Sequence, residues 1–140
     1  MHTLSCMSLL ACFVFHALTG QSVTCPCCMC GPNITVIINV ENSLKPPRFK
    51  STVKLEMKPQ RELIYFLQEA VAIDPHFHFT AEYNATPNAT GYDVMSMNKL
   101  AGNAEDKTYW EILDNGNPAA GVSMYVPTDG SVISFNFTTY

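Results

Sequence analysis

At 140 residues the chain fits one domain, since single domains cluster at about 100–150 residues. Eight Lys and Arg against twelve Asp and Glu leave a net charge of −4, which argues against the basic surface of a nucleic-acid binder. A hydrophobic fraction of 47% excludes a disordered tail. Charge is unevenly spread: none precedes Glu41, residues 41–62 carry six basic and three acidic side chains, and residues 63–140 carry two and nine.

In chain order, residues 9–18 are an apolar run about as long as a signal-peptide core and shorter than the roughly 20 residues that span a bilayer. Thr19, Gly20 and Ser22 follow as small residues suited to cleavage. Residues 1–20 are therefore expected to be a signal peptide and the product to be secreted, although the start holds His2 and no Lys or Arg. A short uncleaved anchor or a buried strand is the other reading of this run. No later segment is apolar enough to span a membrane as a helix.

Residues 21–32 form a Cys-rich segment in which Cys25, Cys27, Cys28 and Cys30 fall close together, with no cysteine after them. In an oxidising compartment they are disulfide candidates, among themselves or to another chain. A thiolate site for Zn or Cu(I) is the alternative, but adjacent cysteines close a tetrahedron poorly, and no metal site is assigned.

From Asn33 a single domain over residues 33–140 is expected. Residues 34–40 are β-branched between Pro32-Asn33 and Glu41-Asn42-Ser43, which predicts a strand. Val53, Leu55 and Met57 alternate with Lys54, Glu56 and Lys58, which predicts a second, half-buried strand. Pro59 opens a predicted helix over 59–73 with the stripe Leu63, Ile64, Phe66, Leu67, Ala70 and Val71, ended by Asp74-Pro75. Phe77, Phe79, Ala81 and Tyr83 alternate with polar residues as a third strand. A solvated loop and a short strand over 92–97 follow. Residues 98–107 read as a polar turn, and 108–114 as a strand centred on Trp110. Asn115-Gly116-Asn117-Pro118 turns, 121–126 extends again, Pro127-Thr128-Asp129-Gly130 turns, and 131–138 closes the domain with Val132, Ile133, Phe135 and Phe137. The expected class is α+β: a small β-grasp-like sheet of antiparallel hairpins with one packed helix.

Four sequons begin at Asn33, Asn84, Asn88 and Asn136 and predict N-glycosylation there, the close pair at Asn84 and Asn88 marking the solvated loop. Enzymatic constellations are thin, with no Gly-rich phosphate loop and no Gly-x-Ser-x-Gly elbow. His76 and His78 would share one face of a strand as a metal pair, yet only Asp74 is near as a third ligand. Two solvated histidines are the plainer reading.

The C-terminal third is more specific. Met95-Ser96-Met97-Asn98-Lys99-Leu100-Ala101, Lys107-Thr108-Tyr109-Trp110-Glu111-Ile112-Leu113, Gly121-Val122-Ser123-Met124-Tyr125-Val126-Pro127, Asp129-Gly130 and Asn136-Phe137-Thr138-Thr139-Tyr140 together resemble the C-terminal β domain of the intrinsic factor and transcobalamin family. Looser matches at residues 33–37, 67–70 and 74–79 extend the resemblance over nearly all of 33–140. Members of that family are secreted carriers that sandwich cobalamin between a helical barrel and this small domain. The resemblance implies a secreted, non-enzymatic module with cobalamin or another corrinoid as bound ligand. It also implies two ligand-facing hairpins. One is Ala89, Thr90, Gly91, Tyr92, Asp93 and Val94, where Gly91 allows close backbone approach and Tyr92 offers an aromatic face. The other runs through Trp110, Glu111, Ile112, Leu113, Asp114, Asn115, Gly116, Asn117, Pro118 and Ala119, with Trp110 as either ligand face or sheet anchor.

The barrel has no counterpart in this sequence, so the opposite wall is expected from a helical-barrel partner or from disulfide-linked self-association. Thr90 belongs to the sequon at Asn88, and Asp93 and Asp114 bring negative charge toward a phosphate-bearing ligand. The alternative expectation is a secreted glycoprotein interaction module that kept the fold and lost cobalamin.

Overall fold

The computed structural model describes residues 31–140. The expected signal peptide and Cys25, Cys27, Cys28 and Cys30 lie outside the described residues. In β1 (Asn33–Asn42) every second side chain is buried, so Ile34, Val36, Ile38 and Val40 line one face. β2 (Phe49–Pro59) pairs with it antiparallel and adds Val53 and Leu55 to that face. The alternation breaks at Met57, which takes a φ of 53° and is 67% exposed beside a register shift opposite Ile34 and Val36. This β-bulge turns the third residue of the predicted apolar set outward.

α1 (Leu63–Ile73) begins later than expected. Pro59 still pairs with Asn33, and the Gln60 amide donates to the Pro32 carbonyl (2.9 Å), so the β ladder persists where a helix was predicted. The helix buries Leu63, Phe66, Leu67 and Ala70, while Val71 is 42% exposed. Asp74 follows it in extended conformation, ahead of Pro75, which disfavours helix in the residue before it.

The stretch expected to hold a solvated loop is a hairpin. β3 (Phe79–Thr86) and β4 (Ala89–Met97) pair antiparallel around Pro87-Asn88. The Thr86 hydroxyl closes that turn, donating to the Ala89 carbonyl and accepting from the Ala89 amide. Alternation fades past Tyr83 because neither face of the hairpin end is buried. β5 (Leu100–Ala101) completes a three-stranded sheet in the order β3-β4-β5. His76 and His78 precede β3 and are exposed, in keeping with the plainer reading of two solvated histidines. Among the described residues no group of three or more His, Cys, Asp or Glu could hold a metal ion, and no helix is long and apolar enough to cross a membrane.

β6 (Thr108–Asp114), β7 (Asn117–Pro118) and β8 (Val132–Thr139) complete a five-stranded sheet in the order β2-β1-β8-β6-β7. The expectation of antiparallel hairpins alone is corrected at its centre: β1 and β8 run parallel, with Ile37 opposite Val132 and Glu41 opposite Asn136. There are thus two sheets rather than one. Residues 121–126 do not extend as expected. The Met124 and Tyr125 amides both donate to the Gly121 carbonyl (2.9 and 3.1 Å), winding a turn that buries Val122.

The core lies between one face of the larger sheet and α1, closed by Phe77, Met97 and Val122. Phe135 is fully buried there and Val71 lies on the solvent side of the helix. Phe135→Ala should therefore cost about 3–5 kcal/mol in urea unfolding, whereas Val71→Ala should stay within about 0.5 kcal/mol.

Candidate functional site

The two segments proposed from sequence take different places. In the first, Ala89 to Val94 lie in β4 on an open part of the hairpin. Tyr92 is 41% exposed and faces Tyr83 across the ladder, with ring centroids 5.2 Å apart in an edge-on arrangement. Gly91 has a φ of 149°, and a Cβ there would meet the Ser123 side chain at 3.2 Å. The close approach that glycine permits is therefore to Ser123 of the same chain. The Ser123 hydroxyl accepts the Tyr92 amide (2.7 Å) and anchors the hairpin to the 121–125 turn.

Two grooves flank this hairpin and share Tyr92. One, of about 360 Å³, runs against the helix and is lined by Ile64, Tyr65, Gln68, Phe79, Ala81 and Tyr92. It is mainly apolar and aromatic, with the Gln68 amide as its polar side chain. The other, of about 330 Å³, has the larger number of polar side chains, Asn84, Asn88, Thr90, Asp93 and Ser123, although most of its exposed lining is apolar, with Gly121 and Met124 completing it. Asp93 is turned within this groove, accepting from the Asn84 side-chain amide at 2.6 Å.

The second segment lines neither groove. Trp110 is 5% exposed, packs on Phe137 (centroids 5.0 Å apart), and spends its indole N–H on the Leu100 carbonyl (2.9 Å). It is a core anchor that ties the two sheets together, so its face and its donor are already engaged. Glu111 pairs in register with Asn136, and Ile112 and Leu113 are half-buried along the sheet. Asn115 (φ 49°) and Gly116 (φ 82°) form the tight turn that positive φ at both positions requires. Asn117 and Pro118 make the exposed edge strand β7, and the Ala119 amide donates to the Ile112 carbonyl (3.0 Å).

Asp114 is half-buried and engaged by donors of its own chain. Its carboxylate accepts from the Tyr125 hydroxyl, from the Ser131 hydroxyl (2.8 Å) and from the Asn115 side-chain amide (2.9 Å). The turn it holds in turn caps α1, because the Leu63 and Ile64 amides donate to the Tyr125 and Val122 carbonyls (2.8 and 2.9 Å). These are amides at the helix start that have no partner within the helix, and no side chain caps them.

Sequence reasoning missed the helix side of the aromatic groove. Tyr65 lies off the apolar stripe and is exposed, with the Arg61 guanidinium 3.6 Å above its ring. An aromatic residue outside the stripe was the available signal. Ser123 and Met124 gave none, because only the folded turn brings them to Gly91.

The fold and this hairpin thus define a small two-sheet β domain with one helix and a pair of open grooves. No model of a known protein family matches the chain. Individual relatives do. The chain is 35% identical over 111 residues to cobalamin binding intrinsic factor of Homo sapiens, and equally to that of Canis lupus familiaris, covering 77% of this chain and 26% of each relative. In fold it is similar to a solved structure of haptocorrin in complex with Cbi (TM-score 0.57, 20% identity, 77% of this chain and 26% of that chain). It is also similar in fold to a putative metal binding protein from Ruminococcus gnavus ATCC 29149 (TM-score 0.56, 10% identity, 76% of this chain and 98% of that chain). The chain spans about a quarter of the length of the curated relatives it matches. The resemblance read from the C-terminal motifs is thereby shown: this chain is a relative of intrinsic factor over one domain's length. Those relatives are named for binding cobalamin, not for a reaction.

The hydrogen bond to Asp114, then burial and the charge of Asp114, push Tyr125 up from 10.0 to about 12. The folded chain keeps this proton to higher pH than the unfolded chain, so the bond stabilises fully below pH 10.0 and its contribution is lost as pH rises through about 12. In urea unfolding the stability advantage of wild type over Tyr125→Phe should therefore shrink across that window. Trp110→Ala should lower stability by about 3–5 kcal/mol, registering a lost core anchor.

Proposed function

We propose that residues 33–140 form a corrinoid-binding domain of a secreted carrier, with the aromatic groove at Tyr92 as one wall of the site. The carrying observation is that groove: Tyr65, Phe79 and Tyr92 line an open, mainly apolar slot in a chain 35% identical to a protein named for binding cobalamin. A corrin offers a broad apolar face fringed by amides, which suits an aromatic wall with few polar groups. No catalytic side chain is needed, and the role is binding and transport. The hairpin, the packed helix and the parallel centre of the larger sheet also support a β-grasp-like reading of the fold.

At about 360 Å³ the groove lies near the lower end of the ~300–1,000 Å³ that enclose drug-sized ligands. It can hold one edge of a cobalamin, and a second wall is required. A helical-barrel partner supplies it, or a second copy tethered through the Cys25–Cys30 segment. Of the first predicted ligand segment, Tyr92 lines the aromatic groove and is retained in this reading. Trp110 and Asp114 act through folding. The second reading, an interaction module without ligand, is favoured by one observation: sequon residues Asn84, Asn88 and Thr90 rim the polar groove.

Equilibrium dialysis of the purified glycosylated chain against hydroxocobalamin, alone and with a separate barrel domain, decides between them. Saturable binding is expected, and Tyr92→Ala should raise Kd about tenfold, equivalent to ~1.4 kcal/mol. Absence of saturable binding up to millimolar ligand under both conditions overturns the first reading and leaves the second.

A further inference from the structure

Asn84 is exposed and stands in β3 with its side chain in the polar groove. One hydrogen of its amide is given to the Asp93 carboxylate at 2.6 Å, and a side-chain amide has two. The second is free in this arrangement, in a side chain that opens the sequon Asn84-Ala85-Thr86. We propose that an N-linked sugar on Asn84 occupies the polar groove, and that the ligand therefore takes the aromatic groove on the other side of Tyr92.

The transfer replaces only the free hydrogen. The amide nitrogen bonds the anomeric carbon of an oligosaccharide delivered on a lipid diphosphate, the bond from that carbon to the diphosphate breaks, and one amide proton is released. The remaining N–H keeps its bond to Asp93, so Asp93 sets the direction in which the first sugar leaves the strand. That direction is along a groove whose far wall is Ser123 and Met124. The groove suits a sugar by its chemistry: a carboxylate and the hydroxyls of Thr90 and Ser123 offer hydrogen-bond partners, while Met124 covers an apolar face. Asn88 lies in the turn Pro87-Asn88 at the hairpin tip and also borders the groove, but it is the Asn84 amide that Asp93 holds, so Asn84 is the residue whose sugar is directed along it.

The choice of groove for the ligand rests on the cobalamin reading above, whereas the seat of the sugar does not. The test therefore reads the groove without any corrinoid. Met124 is 71% exposed and Met57, in β2, is 67% exposed, so Met57 serves as an internal standard for peroxide oxidation. The chain is made in a secreting host, Asn84 is checked for sugar by glycopeptide mass, and the folded glycoprotein is oxidised before and after enzymatic removal of its N-glycans. Removal should raise the rate of Met124 oxidation relative to Met57 about fivefold, since oxidation follows exposure. Asn84→Gln, which keeps an amide able to reach Asp93, should give the same rise. Asn88→Gln alone should leave Met124 protected. An unmodified Asn84 in the secreted chain, an unchanged ratio after sugar removal, or unmasking of Met124 by Asn88→Gln overturns the proposal. Failure of dialysis to show cobalamin binding overturns the earlier reading and leaves this one standing.

Discussion

Residues 37–41 of β1 run alongside residues 132–136 of β8, so strands from opposite ends of the described chain form the parallel centre of the larger sheet. Parallel neighbours cannot be joined by a tight turn and need a crossover. Here the crossover is almost the whole domain: the β1–β2 hairpin, α1, the smaller sheet and β6 all intervene. The buried faces of these two strands, Ile38, Val40, Ile133 and Phe135, meet the helix residues Leu63, Phe66, Leu67 and Ala70 in the same core. Closing this pair is entropically costly because its contacts are so distant in sequence, and the costs are met only when sheet and helix bury their apolar sides together. The hairpin that carries Tyr92 depends on this closure through the 121–125 turn.

Much of this architecture was legible in local pattern. Burial on every second residue of β1 and β8, the apolar stripe of α1 and the turn at Asn115-Gly116 all follow from spacing and residue type. Where the pattern misled, a non-local hydrogen bond or a bulge had intervened. Pro59 looked like a helix start, yet its neighbour Gln60 is held by Pro32. The helix begins where the carbonyls of a turn some sixty positions away receive its first amides. Met57 continued an alternation that the bulge against β1 breaks. The parallel β1–β8 pair left no local signature at all.

The candidate site was half legible. Gly91 and Tyr92 were marked by the resemblance to the family's ligand-facing hairpin and not by local pattern, and Tyr92 lies between two grooves. Trp110 drew attention by size, but a large apolar ring with a single donor is as well suited to a core, and Leu100 takes that donor. Asp114 looked like a charge facing a ligand because its partners Tyr125 and Ser131 are distant in sequence. Tyr65 was passed over because helix reading attends to the stripe that packs inward, not to an aromatic left outside it.

The helix and the hairpin that bound the aromatic groove are both pinned to one short segment. Leu63 and Ile64 take its carbonyls, Tyr92 takes its serine hydroxyl, and Asp114 holds its tyrosine. Moving the helix or the hairpin away from this segment would break the hydrogen bonds that hold both. The two walls of the groove therefore share one anchor, and a change in residues 121–125 reaches both of them at once.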